Sequence, residues 1–233
     1  MVRKSAVESL EQIKLDENKE IKDNIYLVLK KMIMTRQFTP NERLDAYVIA
    51  TNLGVSRTPV RDALNMLDSE GFIQTIPRKG TFVTGIYRED LIELFQFRQL
   101  IELFMLEQGF PELVLSAGTM KAEIDQWDQN LTNGSYEGYD FMESDMKIHQ
   151  WIVQSGKNKR IQREYDSLNC HVQTARGYYL QDMNRINASH EEHKALYNAI
   201  AANDLEQAKK ALKNHLDNTL ESLLKLIDIF KVF

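Results

Sequence analysis

The chain has 233 residues, 43% hydrophobic and 27% charged, a balance that fits an ordinary globular protein with room for one large domain or two smaller ones. One cysteine, Cys170, excludes an intramolecular disulfide and fits a reducing cytosol. No run approaches the roughly 18 apolar residues of a membrane span, and the charged start (Arg3, Lys4, Glu8, Glu11, Lys14) lacks a signal-peptide core, so a cytoplasmic, membrane-free protein is expected.

The net charge of −5 is unevenly spread. Residues 22–86 hold nine Lys/Arg against six Asp/Glu, whereas residues 87–233 hold sixteen against twenty-three. A mildly basic front and an acidic back suit a nucleic-acid-reading module joined to a domain that stays off the nucleic acid.

In chain order, residues 1–21 read as a polar extension. Ile25, Val28, Leu29, Met32 and Ile33 give one apolar face to a helix over Ile21–Gln37. Phe38-Thr39-Pro40-Asn41 is a turn, and a short helix from about Asp45 to Asn52 is closed by Gly54. A third helix starts at Ser56, an N-cap residue type, with Pro59 in its first turn, and ends near Gly71. Phe72–Ile76 and Thr81–Thr84 are β-prone runs around Pro77-Arg78-Lys79-Gly80, which reads as a hairpin. Three helices and a hairpin in this order make a winged helix-turn-helix over 22–86. The plainer alternative is a small α+β fold with no DNA role.

Arg57, Thr58 and Arg61 then lie at the N-terminal end of the third helix, the part of a recognition helix that reaches base edges and phosphates in a major groove. Arg57 or Arg61 is expected to read guanine, while Thr58 and Lys79 touch phosphates. The bland reading of Arg61 is a surface ion pair with Asp62 or Asp68, and of Arg78 and Lys79 a solvated turn.

After Ile86 the hairpin signals stop. Helices are expected over Arg88–Gln108, Pro111–Asn130, Tyr136–Ser155, Asn158–Asp182, Ser189–Ala202 and Asp204–Ile229, an antiparallel all-α bundle spanning 87–233. The fold class is therefore mainly α, a winged helix-turn-helix followed by a helical bundle.

Within the bundle, Asp145 and His149 are four residues apart and share a helix face. His193 lies about ten residues before the turn at Asn203-Asp204 and His215 about eleven after it. At a rise of about 1.5 Å per residue the two come level across an antiparallel helix pair, whereas His190 is one turn too far from the bend. One carboxylate and three imidazoles suit a divalent ion of the Zn, Ni, Mn or Fe type. The alternative is that these are separate surface or core histidines. Arg98, or Arg176, is a cation that could neutralise the carboxylate of a small effector, although Arg98 stands four residues before Glu102, the spacing of an ordinary intrahelical ion pair. Tyr178, Tyr179 and His171 could line the same cavity. A metal-dependent enzyme using Glu143, Glu191 or Glu192 as base leaves the winged helix unexplained, and a purely structural metal is the stronger competitor.

The run G-V-S-R-T-P-V-R-D-A-L (54–64), then E-G-F-I (70–73) and R-K-G-T-F-V (78–83), closely resembles the winged-helix domain of GntR-family bacterial transcription regulators. The remainder resembles the FadR-type ligand-binding domain of that family through R-Q-L-I-E (98–102), D-M-K-I-H (145–149), S-G-K-N (155–158), E-H (192–193), A-N-D (202–204) with Ala208, and N-H (214–215). Six expected helices look more like its VanR-type branch. The resemblance implies double-stranded operator DNA and a small carboxylate effector as partners, a homodimer as the binding form, Arg57, Thr58 and Arg61 as DNA contacts with Gly80 letting the wing approach the minor groove, and Asp145, His149, His193 and His215 as metal ligands. One departure stands out: where family members commonly carry Arg in the second helix, this chain has Ala46-Tyr47-Val48, so a DNA contact is lost or altered at Tyr47, with Arg43 nearby as a partial replacement.

Overall fold

The computed structural model describes the chain except residues 1–9, 11–15, 17–18, 36, 86, 134–137, 168–182 and 231–233, and the side chains of 138–140, 142 and 226–230. The chain divides into two compact units, one ending at Ile86 and the next starting at Tyr87.

The first unit holds α1 (Ile21–Met34), β1 (Arg43–Leu44), α2 (Ala46–Leu53), α3 (Arg57–Ser69), β2 (Ile73–Ile76) and β3 (Gly80–Val83). Ile25, Leu29, Met32 and Ile33 of α1 are buried, as are Val60, Ala63, Leu64 and Leu67 of α3. These two stripes at helical spacing face each other and form the core. Asp45 caps α2 by accepting from the backbone N–H groups of Tyr47 and Val48 at 2.8 and 3.3 Å. Gly54 closes α2 in the left-handed region at φ 67°.

The sheet has the order β1-β3-β2, with both pairs antiparallel. Arg43 and Leu44 pair with Phe82 and Thr81, a third strand that the hairpin reading did not include. Two residues are too few to show an alternating pattern, so only the partner strand reveals them.

The second unit holds α4 (Arg88–Leu115), α5 (Ala117–Asn133), α6 (Gly138–Ser155), α7 (Lys159–Ser167), α8 (Met183–Ala201) and α9 (Leu205–Phe230). The largest contacts are α8 with α9, α4 with α6 and α4 with α9. Asn203 at φ 57° and the Asp204 side chain, which accepts from the Gln207 N–H at 3.0 Å, turn α8 into α9.

Several expected boundaries differ, and the helix expected from Pro111 starts at Ala117. The first bundle helix does not stop before Pro111 but runs through it to Leu115. Pro111 deprives the helix of one N–H and costs about 3 kcal/mol, but buried Phe110 and Leu113 on either side anchor the helix in the core. Gly109 serves packing rather than termination, since a methyl there would overlap the Ser155 side chain and backbone where α4 crosses the end of α6. The helix expected from Ser189 is already present at Met183, the first described residue there, and Ile186 is buried against Trp127 and Phe141. Most of the second half of the helix expected over Asn158–Asp182, with Cys170, His171, Arg176, Tyr178 and Tyr179, lies outside the described residues. Among the described residues no helix is long and apolar enough to cross a membrane.

Candidate metal centre and nucleic-acid interface

In the first unit Ser56 occupies the N-cap position of α3 with extended backbone and makes no side-chain capping bond. The first N–H groups of α3 are therefore not satisfied by Ser56, and a helix start of this kind favours anions. Arg57, Thr58 and Arg61 are all exposed around it. The ion pair considered for Arg61 does not form among the described residues. Asp68 instead accepts from the backbone N–H of Thr75 at 3.1 Å, tying α3 to β2.

The wing turn is closed by the Lys79 N–H donating to the Ile76 carbonyl at 3.0 Å. Pro77 takes the second position and Arg78 the third at φ 65°, as a type II turn requires. A left-handed arginine costs on the order of 1–2 kcal/mol, and it places the exposed Arg78 and Lys79 side by side at the tip. Gly80 follows at φ 126°, and a Cβ there would stand 2.9 Å from Nε of Arg43. Arg43 thus lies beside Gly80 of the wing, while Tyr47, in the first turn of α2, is 64% exposed.

In the second unit the structure brings Asp145 and His149 of α6, His193 of α8 and His215 of α9 together. One ligand atom from each lies within 4.8 Å of all the others. All four residues are at most 4% exposed. Nε2 of His149 and Nε2 of His215 are 3.1 Å apart, Nε2 of His193 is 3.3 Å from Oδ1 of Asp145, and Nε2 of His215 is 3.8 Å from the same oxygen. Ligand atoms on a tetrahedral zinc are separated by roughly 3.4 Å. The spacing fits an ion.

The chemistry of the outer ring atoms sharpens this. Nδ1 of His149 bonds Oε2 of Glu102 at 2.6 Å, and Nδ1 of His215 bonds Oε2 of Glu192 at 2.8 Å. An ionised carboxylate can only accept, so both Nδ1 atoms carry a proton, and Nε2 of a neutral ring is left with a lone pair. Two ring nitrogens facing each other at 3.1 Å in a buried site need a cation or a proton between them. Burial, partly opposed by Glu102, pushes His149 down to about 4, so it is neutral and able to ligate at pH 7.

Glu102 and Glu192 join this centre through the tertiary fold; the sequence offers Glu102 only as a partner of Arg98 and Glu192 as a candidate base beside His193. Burial acts to raise the Glu102 carboxyl, but the Arg98 charge, His149 and the Tyr165 hydroxyl hold it below the usual range. Burial acts likewise on Glu192, where bonds from His215, Arg185 and Asn218 prevail and bring it down to about 2. The adjacent Glu192-His193 pair was a usable signal, because neighbours on a helix point about 100° apart and can serve two ligands at once.

Arg98 is fully buried and its Nε donates to Oε1 of Glu102 at 2.7 Å, so the intrahelical pair does form. Its Nη1 and Nη2 atoms have no hydrogen-bond partner among the described residues. His190 stands apart from the cluster and bonds Oδ1 of Asp128 at 2.8 Å. Arg176 lies outside the described residues.

The comparisons agree with this architecture. Residues 21–83 match the model of the bacterial regulatory proteins of the gntR family, and residues 93–218 match that of the FCD domain. The HTH-type transcriptional regulator YdhC of Bacillus subtilis is 24% identical over 224 residues, covering 94% of this chain and 98% of the relative. A GntR transcriptional regulator from Rhodococcus sp. RHA1 has a similar fold, with a TM-score of 0.72, 22% identity, and coverage of 88% of this chain and 97% of that one. The metal-free FCD domain of TM0439 matches with a TM-score of 0.54 at 23% identity, covering 62% of this chain and 98% of that domain. The chain belongs to the GntR family of transcription regulators, a winged helix-turn-helix followed by an FCD effector domain.

Proposed function

We propose that this regulator binds a pseudo-palindromic operator as a dimer and responds to a small carboxylate through a divalent ion held by Asp145, His149, His193 and His215. The observation that carries the sensor half is the buried convergence of four ligand atoms beside Arg98, whose two Nη groups are uncommitted among the described residues. A divalent ion with Asp145 leaves one net positive charge, since Arg98 offsets Glu102 and Arg185 offsets Glu192. That surplus favours an anion. When bound, the ion would act as a Lewis acid toward a carboxylate, and Arg98 would orient the acid by donating from its Nη atoms.

In the first unit, Arg57 and Arg61 are proposed to read base edges. Thr58, Arg78 and Lys79 hold phosphates, and Gly80 keeps the wing backbone slim. An effector can act only by favouring one of two arrangements that differ in DNA affinity, with a coupling of about 1–3 kcal/mol being typical.

The test is thermal shift of the full chain with a panel of hydroxy acids and sugar acids, before and after chelation, alongside operator binding by fluorescence anisotropy. An acid that raises Tm only in the metal-loaded protein and changes DNA affinity supports the reading. A second reading, a structural ion without effector, is favoured by one fact: four protein ligands already complete a closed tetrahedral set. In that case metal raises Tm and no acid adds to it.

A further inference from the structure

Glu102 and Glu192 stand in matching positions on opposite sides of the cluster. Each binds Nδ1 of one ligand histidine and is itself gripped by an arginine. On one side Glu102 takes His149 at 2.6 Å, Arg98 at 2.7 Å and the Tyr165 hydroxyl at 2.7 Å. On the other, Glu192 takes His215 at 2.8 Å, both Nη atoms of Arg185 at 2.9 and 2.8 Å, and Nδ2 of Asn218 at 2.8 Å. Arg185 is anchored in turn on Oγ1 of Thr219 at 3.0 Å.

We infer that Glu102 and Glu192 are positioning residues that lock His149 and His215 in the Nδ1-protonated form, aim both Nε2 atoms at one point, and so set the metal affinity of the domain. This rests on the metal-sensor reading above. The physical reason is that a neutral imidazole has two tautomers, and only the one with a bare Nε2 can ligate here. A carboxylate on Nδ1 selects that tautomer, fixes the ring plane and makes the ring more basic, effects typically worth about 10- to 100-fold in metal affinity.

The two arms also differ. Both Nη atoms of Arg185 are engaged, whereas those of Arg98 are not among the described residues. The Nη atoms of Arg98 can therefore take an incoming carboxylate while its Nε keeps Glu102 in place on His149.

The experiment uses the full chain with Zn²⁺ or Co²⁺ as probe. Metal affinity is measured by chelator competition, and histidine tautomers of the metal-free protein by long-range ¹H–¹⁵N NMR. Glu192→Gln is expected to weaken metal binding about 10- to 100-fold, to shift the Co²⁺ d–d bands and to remove the single Nδ1–H signature of His215. Glu192→Asp should recover part of the affinity. Glu191→Gln, next door but among the described residues paired only with Lys194, should change nothing. Should Glu192→Gln fail to fold, Asn218→Ala at an exposed position removes one bond to Glu192 and is expected to give a smaller loss of the same kind. Metal affinity within twofold of wild type, with the His215 tautomer unchanged in the folded variants, overturns the inference. Failure of wild type to bind either ion overturns the sensor reading instead, and the tautomer readout still reports on the two carboxylates.

Discussion

His149 and His215 face each other through Nε2 atoms 3.1 Å apart although 66 residues separate them, and each is backed by a carboxylate on its other nitrogen. Two ring nitrogens at that distance in a buried site need a proton or a cation between them. This local frustration is the basis for expecting the bundle to be stabilised by a divalent ion.

His215→Ala should abolish tight metal binding. Saturating Zn²⁺ at 100 times Kd stabilises a wild-type protein by about 2.7 kcal/mol, so calorimetry should show a metal-dependent rise in Tm for wild type and none for the variant. Without metal the variant should itself be less stable than wild type, because it loses the bond to Glu192 and leaves a cavity at a buried position, so the metal-dependent change in Tm is the readout.

The metal-free protein should lose stability on mild acidification. His149 is pushed down to about 4 from 6.5, and Glu192 to about 2 from 4.5. In both cases the unfolded chain binds more protons than the folded one, so stability rises with pH. The His149 contribution is complete above pH 6.5 and fades toward pH 4, and the Glu192 contribution is complete above 4.5 and fades toward 2. A Tm that stays flat from pH 7.5 to 4.5, scanned by circular dichroism in roughly half-unit steps with chelator present, would contradict this.

Arg57→Ala and Lys79→Ala should separate selectivity from general attraction. Loss of a bidentate arginine–guanine contact is worth about 1–3 kcal/mol and relaxes selectivity, whereas loss of a phosphate contact lowers affinity for all duplexes and reduces the salt slope by about 1. Anisotropy titrations on operator and random DNA at several salt concentrations read both. Equal losses on the two duplexes for both variants would refute the division of roles.

Gly109→Ala should destabilise the second unit by about 1–3 kcal/mol or more, as expected for overpacking. The added methyl meets the Ser155 side chain and backbone as well as the Gly156 nitrogen, none of which is a flexible chain end. Chemical denaturation followed by near-UV signal from Trp127 and Trp151 measures it. A neutral result would mean that α4 and α6 can separate without cost.

By itself the sequence determined the local units and the ligand set. Pro59 sits in the first turn of a helix, Pro77 and Gly80 shape a turn, and Asp204 caps the last helix, because capping and turn chemistry act within three or four residues. Asp145 with His149 is likewise a one-turn relationship, and His193 with His215 follows from counting outward from a tight bend. Tertiary structure alone decided the second layer and the irregular boundaries. Glu102 reaches His149 across 47 residues, between α4 and α6, and no local spacing encodes that meeting. Pro111 stays inside a helix because buried neighbours hold it there, and Arg43 becomes a strand residue only because Phe82 is beside it. Short-range torsional and capping preferences are written in adjacent residues. The contacts that tune a buried charge depend on how whole helices pack.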